Sequence, residues 1–207
     1  MVPMIIKQLD TGYLDNFSYI VGCEQTGKAV VIDPGPEAEM IAAAAEAAGL
    51  RIELIVNTHG HGDHTAGNAA LKALTGAPVI IHQGDADRYP AADRFLADES
   101  PLRVGEIVLD IIHTPGHTPG GMCLYARGNL FTGDTLFVGD SGRTDLTGGH
   151  RPTLGASIRR LMQLPDETVV WPGHNYGPTP SSTIGWEKRH NVNAREYGFA
   201  ASAGDPR

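Results

Sequence analysis

Thr58-His59-Gly60-His61-Gly62-Asp63-His64 places three imidazoles and one carboxylate within six residues, His59 to His64. The apolar run Leu54-Ile55-Val56 before it reads as a buried strand, and Ala66 to Leu74 after it reads as a helix. The cluster therefore lies where a strand gives way to a helix, the kind of position at which open α/β sheets bind ligands. Imidazole suits zinc, copper, iron and nickel, and a carboxylate adds a hard oxygen donor. His59 and His61 are two apart, so extended backbone points them to one side. Gly60 and Gly62 let the chain turn tightly between ligands, and Asp63 and His64 face a second direction. One ion rarely takes four ligands from so short a run, whereas two ions side by side could share them. The plainer alternative makes Asp63 a helix N-cap and the histidines surface polar groups. Three of the chain's nine histidines within six residues favour the metal reading.

Working outward, Met4 to Leu9, Asn16 to Gly22, Ala29 to Ile32 and Arg51 to Asn57 read as strands, with a helix over Ala38 to Ala48. Pro78 to His82 is a short strand, and Gly84 to Ala97 is polar and helix-prone. Gly105 marks a turn. Ile107 to His113 is a strand, Met122 to Tyr125 and Leu130 to Thr132 form a hairpin, Thr153 to Leu164 is an amphipathic helix, and Thr168 to Trp171 is a strand. Ser181 to Ala194 reads as a final helix, and the tail from Ala200 as disordered. Metal-competent groups recur where strands end: Asp33, His59, His117 between two Pro-Gly pairs, Asp134 after Gly133, and His174 after Gly173. Five such ends imply one shared rim. Five histidines and two aspartates suit two metals: three histidines on one, an aspartate and two histidines on the other, and an aspartate between.

The chain has 207 residues, which fits one domain, 1–207, with a short C-terminal helix at about 181–194. A hydrophobic content of 41% and a charged content of 19% are those of a globular protein. The net charge of −8 argues against a nucleic-acid partner. No apolar run approaches the roughly 20 residues of a membrane span, and Lys7 and Asp10 come too early for a signal-peptide core. Cys23 and Cys123 lie in apolar stretches and read as buried small hydrophobes. The expectation is a cytoplasmic monomer or small homo-oligomer acting on a small molecule.

The motif from Thr58 to His64, with Asp33 upstream and His117, Asp134 and His174 downstream, resembles the metallo-β-lactamase superfamily over nearly the whole chain. The resemblance implies an α/β fold, an αββα sandwich of two mixed β-sheets flanked by helices. It implies His59, His61 and His117 on a first metal and Asp63, His64 and His174 on a second. Asp134 would bridge them, and Asp33 would orient ligands without binding metal. Within the superfamily, Thr114-Pro115-Gly116-His117-Thr118-Pro119-Gly120 and Phe131-Thr132-Gly133-Asp134-Thr135-Leu136-Phe137 look like glyoxalase II, the hydroxyacylglutathione hydrolases. Gly142-Arg143-Thr144-Asp145 and Ser182-Thr183-Ile184-Gly185-Trp186-Glu187 are more like small glyoxalase II-like proteins and persulfide dioxygenases. Full-length glyoxalase II adds a helical C-terminal domain with basic residues for glutathione, whereas about thirty residues follow His174 here, short of the roughly 50 of a domain.

The expected chemistry follows. Two divalent cations about 3.5–4 Å apart can hold a bridging water whose pKa falls to about 7. The hydroxide would attack a carbonyl polarised by the same ions, and a thioester suits this because its thiolate leaves readily. Asp134 would fix the metal spacing and Asp63 could steer the water proton. Zinc is the first choice, with iron or manganese next. A mononuclear iron persulfide dioxygenase using His59, His117 and Asp134 is the alternative, and a nuclease or binding protein the more distant one. Arg143 could meet a substrate carboxylate, though pairing with Asp145 is favoured. Tyr176 could face the substrate or be buried and hydrogen-bonded. His82, His113, His150 and His190 are left outside the site, and Lys188 and Arg189 on a solvated helix face.

Overall fold

The computed structural model describes residues 3–199. Alternation along the strands sorts side chains into three apolar layers. On β2 (Phe17–Cys23), Phe17, Tyr19, Val21 and Cys23 point one way and Ile20 the other. On β3 (Lys28–Ile32), Val30 and Ile32 oppose Ala29 and Val31. Both faces of these strands are covered, so they read as continuous apolar runs.

The first sheet runs in chain order: β1 (Met4–Asp10), β2, β3, β4 (Arg51–Val56), β5 (Val79–His82) and β6 (Arg94–Leu96). Its first three strands are antiparallel and β3 to β6 are parallel. The second sheet contains β7 (Leu102–Val104), β8 (Ile107–His113), β9 (Met122–Ala126), β10 (Asn129–Gly133), β11 (Val169–Pro172) and β12 (Ser182–Thr183), again in chain order. Only the β10–β11 pair is parallel. Residues from both sheets form the central core, in which Tyr19 packs edge-on against Phe131 at 5.1 Å between ring centres. Ile41 of α1 (Ala38–Glu46) and Leu71 of α3 (Asn68–Thr75) cover the outside of the first sheet. Leu154, Ile158 and Leu161 of α4 (Arg151–Leu161), with Ile184 of α5 (Ile184–His190), cover the second. This is the expected αββα sandwich of mixed sheets.

Four local expectations change. Gly84 to Ala97 is not helical: a single 3-10 turn at Gln83–Asp85 is followed by β6, which pairs in parallel with β5. Pro90 would interrupt a helix there, and β5 offers Arg94–Leu96 an unfilled edge. Leu102–Val104, before the turn at Gly105, is a strand too short to stand out by periodicity. The helix after the histidine cluster divides into α2 (Gly62–Thr65) and α3. The final helix is only Ile184–His190, because Ser182–Thr183 pairs with β11, Thr183 Oγ1 caps the Trp186 N–H at 3.2 Å, and Asn191 is extended. The tail expected to be disordered from Ala200 lies outside the described residues. Cys23 and Cys123 are buried and free. No helix among the described residues is long and apolar enough to cross a membrane.

Phe131 is fully buried against Tyr19 and Trp171. Phe131→Ala is expected to lower the unfolding free energy by about 3–5 kcal/mol, read from urea unfolding. A loss below about 1 kcal/mol would contradict this packing.

Candidate metal centre

The C-terminal ends of β3, β4, β8, β10 and β11 lie along one rim of the sandwich, and each feeds a loop that carries a site residue. Asp33 follows β3, the cluster from His59 follows β4, His117 follows β8, Asp134 follows β10 and His174 follows β11. Asp63 and His64 lie in the first turn of α2, whose N-cap is His61, so Asp63 is not the cap considered above. The His64 ring lies 4.2 Å from that of His59, centre to centre.

All seven expected ligands converge. His59 Nε2, His61 Nδ1 and His117 Nε2 form one group: His61 Nδ1 is 3.1 Å from His59 Nε2 and 3.0 Å from His117 Nε2. His64 Nε2 and His174 Nε2 are 3.2 Å apart, and Asp63 Oδ2 is 3.6 and 3.5 Å from them. Asp134 stands between the groups. Its Oδ2 is 3.4 Å from His117 Nε2 and 3.3 Å from His174 Nε2, and its Oδ1 is 3.3 Å from His64 Nε2. Asp33 also falls within reach of His59 and His64. Its oxygens are engaged differently: Oδ1 accepts the Thr58 N–H at 2.7 Å, and Oδ2 accepts the Thr58 hydroxyl at 2.6 Å and faces His64 Nδ1 at 3.1 Å. These contacts tie it to Thr58 and to the back of the His64 ring. Asp33 also holds φ +51°, a left-handed conformation of the kind that collects at functional sites.

The hydrogen bonds behind the rings fix the tautomers. Thr58 gives its only proton to Asp33, so its oxygen must accept from His59 Nδ1, 3.1 Å away. His117 Nδ1 donates to the Arg143 carbonyl at 2.7 Å, and His174 Nδ1 to the Leu14 carbonyl at 2.9 Å. His64 Nδ1 donates to Asp33. In the neutral rings, all four Nε2 atoms are then bare acceptors turned inward. Lone pairs facing each other at 3.2 Å repel unless a cation lies between them. Zinc–nitrogen bonds of about 2.0–2.1 Å place tetrahedral donors about 3.3 Å apart, close to the spacings in the first group. Asp134 Oδ1 is buried without a hydrogen-bond partner. The donor set thus fits a pair of divalent cations.

The titration directions differ between the two groups, with burial opposing charge on His174 but Asp134 outweighing it and raising that ring. Burial, then the His64 charge, pushes the His59 imidazole well below its usual range. Burial and His117 push His61 down. Burial also opposes charge on His64, but Asp134 and Asp33 outweigh it and hold the ring well above the usual range. Burial would raise the Asp134 carboxyl, yet His64 and His59 hold it well below the usual range.

The centre opens on a cavity of about 530 Å³ lined by Leu14, Phe137, Ser141, Arg143, Leu146 and Tyr176 besides the metal-facing groups. Arg143 pairs with Asp145 through two bonds of 2.6 Å, as favoured above. Tyr176 is not buried: it is 57% exposed and stacks on His174 at 4.5 Å. The β1–β2 loop supplies a contact the sequence did not reveal, the Leu14 carbonyl that orients His174. Leu14 and Asp15 both have positive φ, and although aspartate tolerates that conformation, leucine gives no sign of it. His82 and His113 stack on each other, His150 meets Thr153 and His190 stacks on Trp186, all outside the cluster. Lys188 pairs with Asp166 at 2.6 Å.

Comparison with known proteins agrees with this geometry. The hydroxyacylglutathione hydrolase of Rhodospirillum rubrum is 43% identical over 164 residues, covering 78% of this chain and 63% of that protein. The chain thus spans less than two thirds of that relative. The crystal structure of ETHE1 from Myxococcus xanthus superposes with a TM-score of 0.87 at 33% identity, covering 99% of this chain and 93% of that one. That of TTHA1623 in a di-iron-bound form gives a TM-score of 0.79 at 34% identity, covering 90% and 98%. The family model of the metallo-beta-lactamase superfamily matches residues 11–174, a span that begins at the β1–β2 loop and ends on His174, and the chain belongs to that superfamily.

Proposed function

We propose that this protein is a binuclear metallohydrolase acting on a thioester, in which His59, His61 and His117 would hold one ion and Asp63, His64 and His174 the other, with Asp134 between the two groups. The observation that carries the reading is the double group of inward lone pairs with one carboxylate between, open to a single cavity. When bound, such a pair of ions supplies Lewis acidity and an activated water at neutral pH.

The chain's own residues do the rest. Asp134 spans the two groups and sets their separation. Asn16 Nδ2 donates to Asp63 Oδ2 at 3.3 Å, which leaves Oδ1 as the atom placed to take a proton and return it. Leu14, Phe137 and Leu146 line the cavity with apolar surface beside the centre, against which an acyl group could rest. A thiolate leaves without a protonated partner, so the absence of a further acid from this reading is no obstacle. The hydrolase relative supports the thioester class, and the di-iron neighbour supports iron as an alternative to zinc. Asp134 Oδ2 also lies 3.4 Å from His117 Nε2 and 3.9 Å from His59 Nε2, two histidines and a carboxylate of the kind that holds oxygen-activating iron. That observation favours the second reading, a persulfide dioxygenase. The substrate is a small molecule in either case, and a cytoplasmic monomer or small homo-oligomer is the setting we propose.

Elemental analysis of protein grown in defined medium, paired with thiol release from acyl thioesters and oxygen uptake with glutathione persulfide, separates the readings. The hydrolase reading expects about two metal equivalents and thiol release without oxygen uptake. A single iron with oxygen consumption would replace it with the dioxygenase. Asp33→Asn is expected to weaken metal binding about 10- to 100-fold, measured by chelator competition; unchanged affinity would remove its orienting role. His61→Ala is expected to cost more than that in turnover and to lose one ion, while circular dichroism stays native. Full turnover with both ions retained would contradict the assignment.

A further inference from the structure

Asp85 is a fully buried carboxylate outside the ligand set, in the 3-10 turn after β5. It has no ligand spacing in the sequence, and the polar stretch around it reads as helix. In the fold it faces two ligand-bearing loops at once. Its Oδ2 accepts the Gly60 N–H at 2.8 Å and the Thr118 hydroxyl at 2.7 Å, and its Oδ1 accepts the Gly120 N–H at 2.8 Å. Gly60 separates His59 from His61, and Thr118 follows His117. Each of the three imidazoles in the first group is thus one residue from a group bonded to Asp85. Among the described residues, no hydrogen bond joins Asp85 to Asp63, His64 or His174.

The approach is close enough to exclude side chains on the partners. A Cβ on Gly60 would stand 2.6 Å from Arg88 Cβ, and one on Gly120 would stand 2.7 Å from Asp85 Cγ. Arg88 Nε lies 3.5 Å from Asp85 Oδ1 and gives the buried charge a partner. The Arg88 guanidinium also donates to the Thr147 carbonyl, next to the cavity-lining Leu146. A buried carboxylate of this kind is costly unless it is paired and hydrogen-bonded. Here its bonds are spent on two segments that both carry imidazoles of the first group, segments also joined by the Met122 N–H donating to the Thr58 carbonyl at 2.8 Å.

We propose that Asp85 is a positioning residue: by bonding the 59–61 and 117–120 loops to one carboxylate, it sets the spacing of His59, His61 and His117, and does so independently of the second group. The proposal rests on the metal reading of the site, and its test reads binding rather than turnover. The measurement is cobalt(II) titration of the metal-stripped protein, followed by absorption with a competing chelator. Asp85→Asn keeps the shape but turns an amide donor toward a donor. It is expected to weaken one of the two ions about 10- to 100-fold and to leave the other as in the wild type. In a His174→Ala background, where only the first group is whole, the same change should weaken the remaining ion; in a His61→Ala background it should not. Thr118→Val removes one bond with little change of shape, and keeps the test open if Asp85→Asn does not fold. It is expected to weaken the same ion by less. Equal weakening of both ions, or of neither, overturns the proposal, since a purely structural carboxylate would not distinguish them. A wild-type protein that takes up no cobalt defeats the metal reading itself, and the proposal with it.

Discussion

Four imidazoles are held with their Nε2 atoms crowded into one cluster, and the rest of the site is arranged around that close approach. Each ring is fixed from behind by a different part of the chain: Thr58, Asp33, the Arg143 carbonyl and the Leu14 carbonyl. None of the four can turn away without giving up a bond made largely out of contact with water. Two carboxylates, Asp63 and Asp134, complete a pocket whose field is satisfied by positive charge. Asp134 and Asp33 favour positive charge at His64, and two cations would meet the demand more fully.

The sandwich makes this possible because both sheets end at the same rim. β3 and β4 bring Asp33 and the first histidines from one sheet, and β8, β10 and β11 bring His117, Asp134 and His174 from the other. The apolar layer between the sheets keeps those ends in register, with Tyr19, Phe131 and Trp171 packed just behind the rim. The Tyr19 hydroxyl donates to the Pro172 carbonyl at 2.5 Å, tying the first sheet to the strand that leads to His174. Of the four non-glycine residues with positive φ among the described residues, Leu14, Asp15 and Asp33 lie in loops that touch the centre, and Arg127 lies in the turn between β9 and β10.

The ligand set was legible because its residues are rare, closely spaced and placed where strands stop. The sandwich was legible for the same reason, since the family resemblance rests on those residues and the strands show clear alternation. What escaped was set by contacts distant in sequence. Arg94–Leu96 becomes a strand because β5 has an open edge, and Ser182–Thr183 because β11 has one. No local pattern states either fact. Asp85 looks like any surface acid until the loops that carry Gly60 and Gly120 close around it. Tyr176 could be read either way from sequence, and it is exposed because its ring lies flat on His174 at the cavity mouth.

The most direct test of the central claim is a crystal structure of the metal-loaded protein with anomalous data collected on both sides of the zinc and iron edges. The account predicts two peaks about 3.5–4 Å apart, one bonded to His59, His61 and His117, the other to Asp63, His64 and His174, with Asp134 reaching both. A single peak, or metal bound away from these side chains, would contradict it.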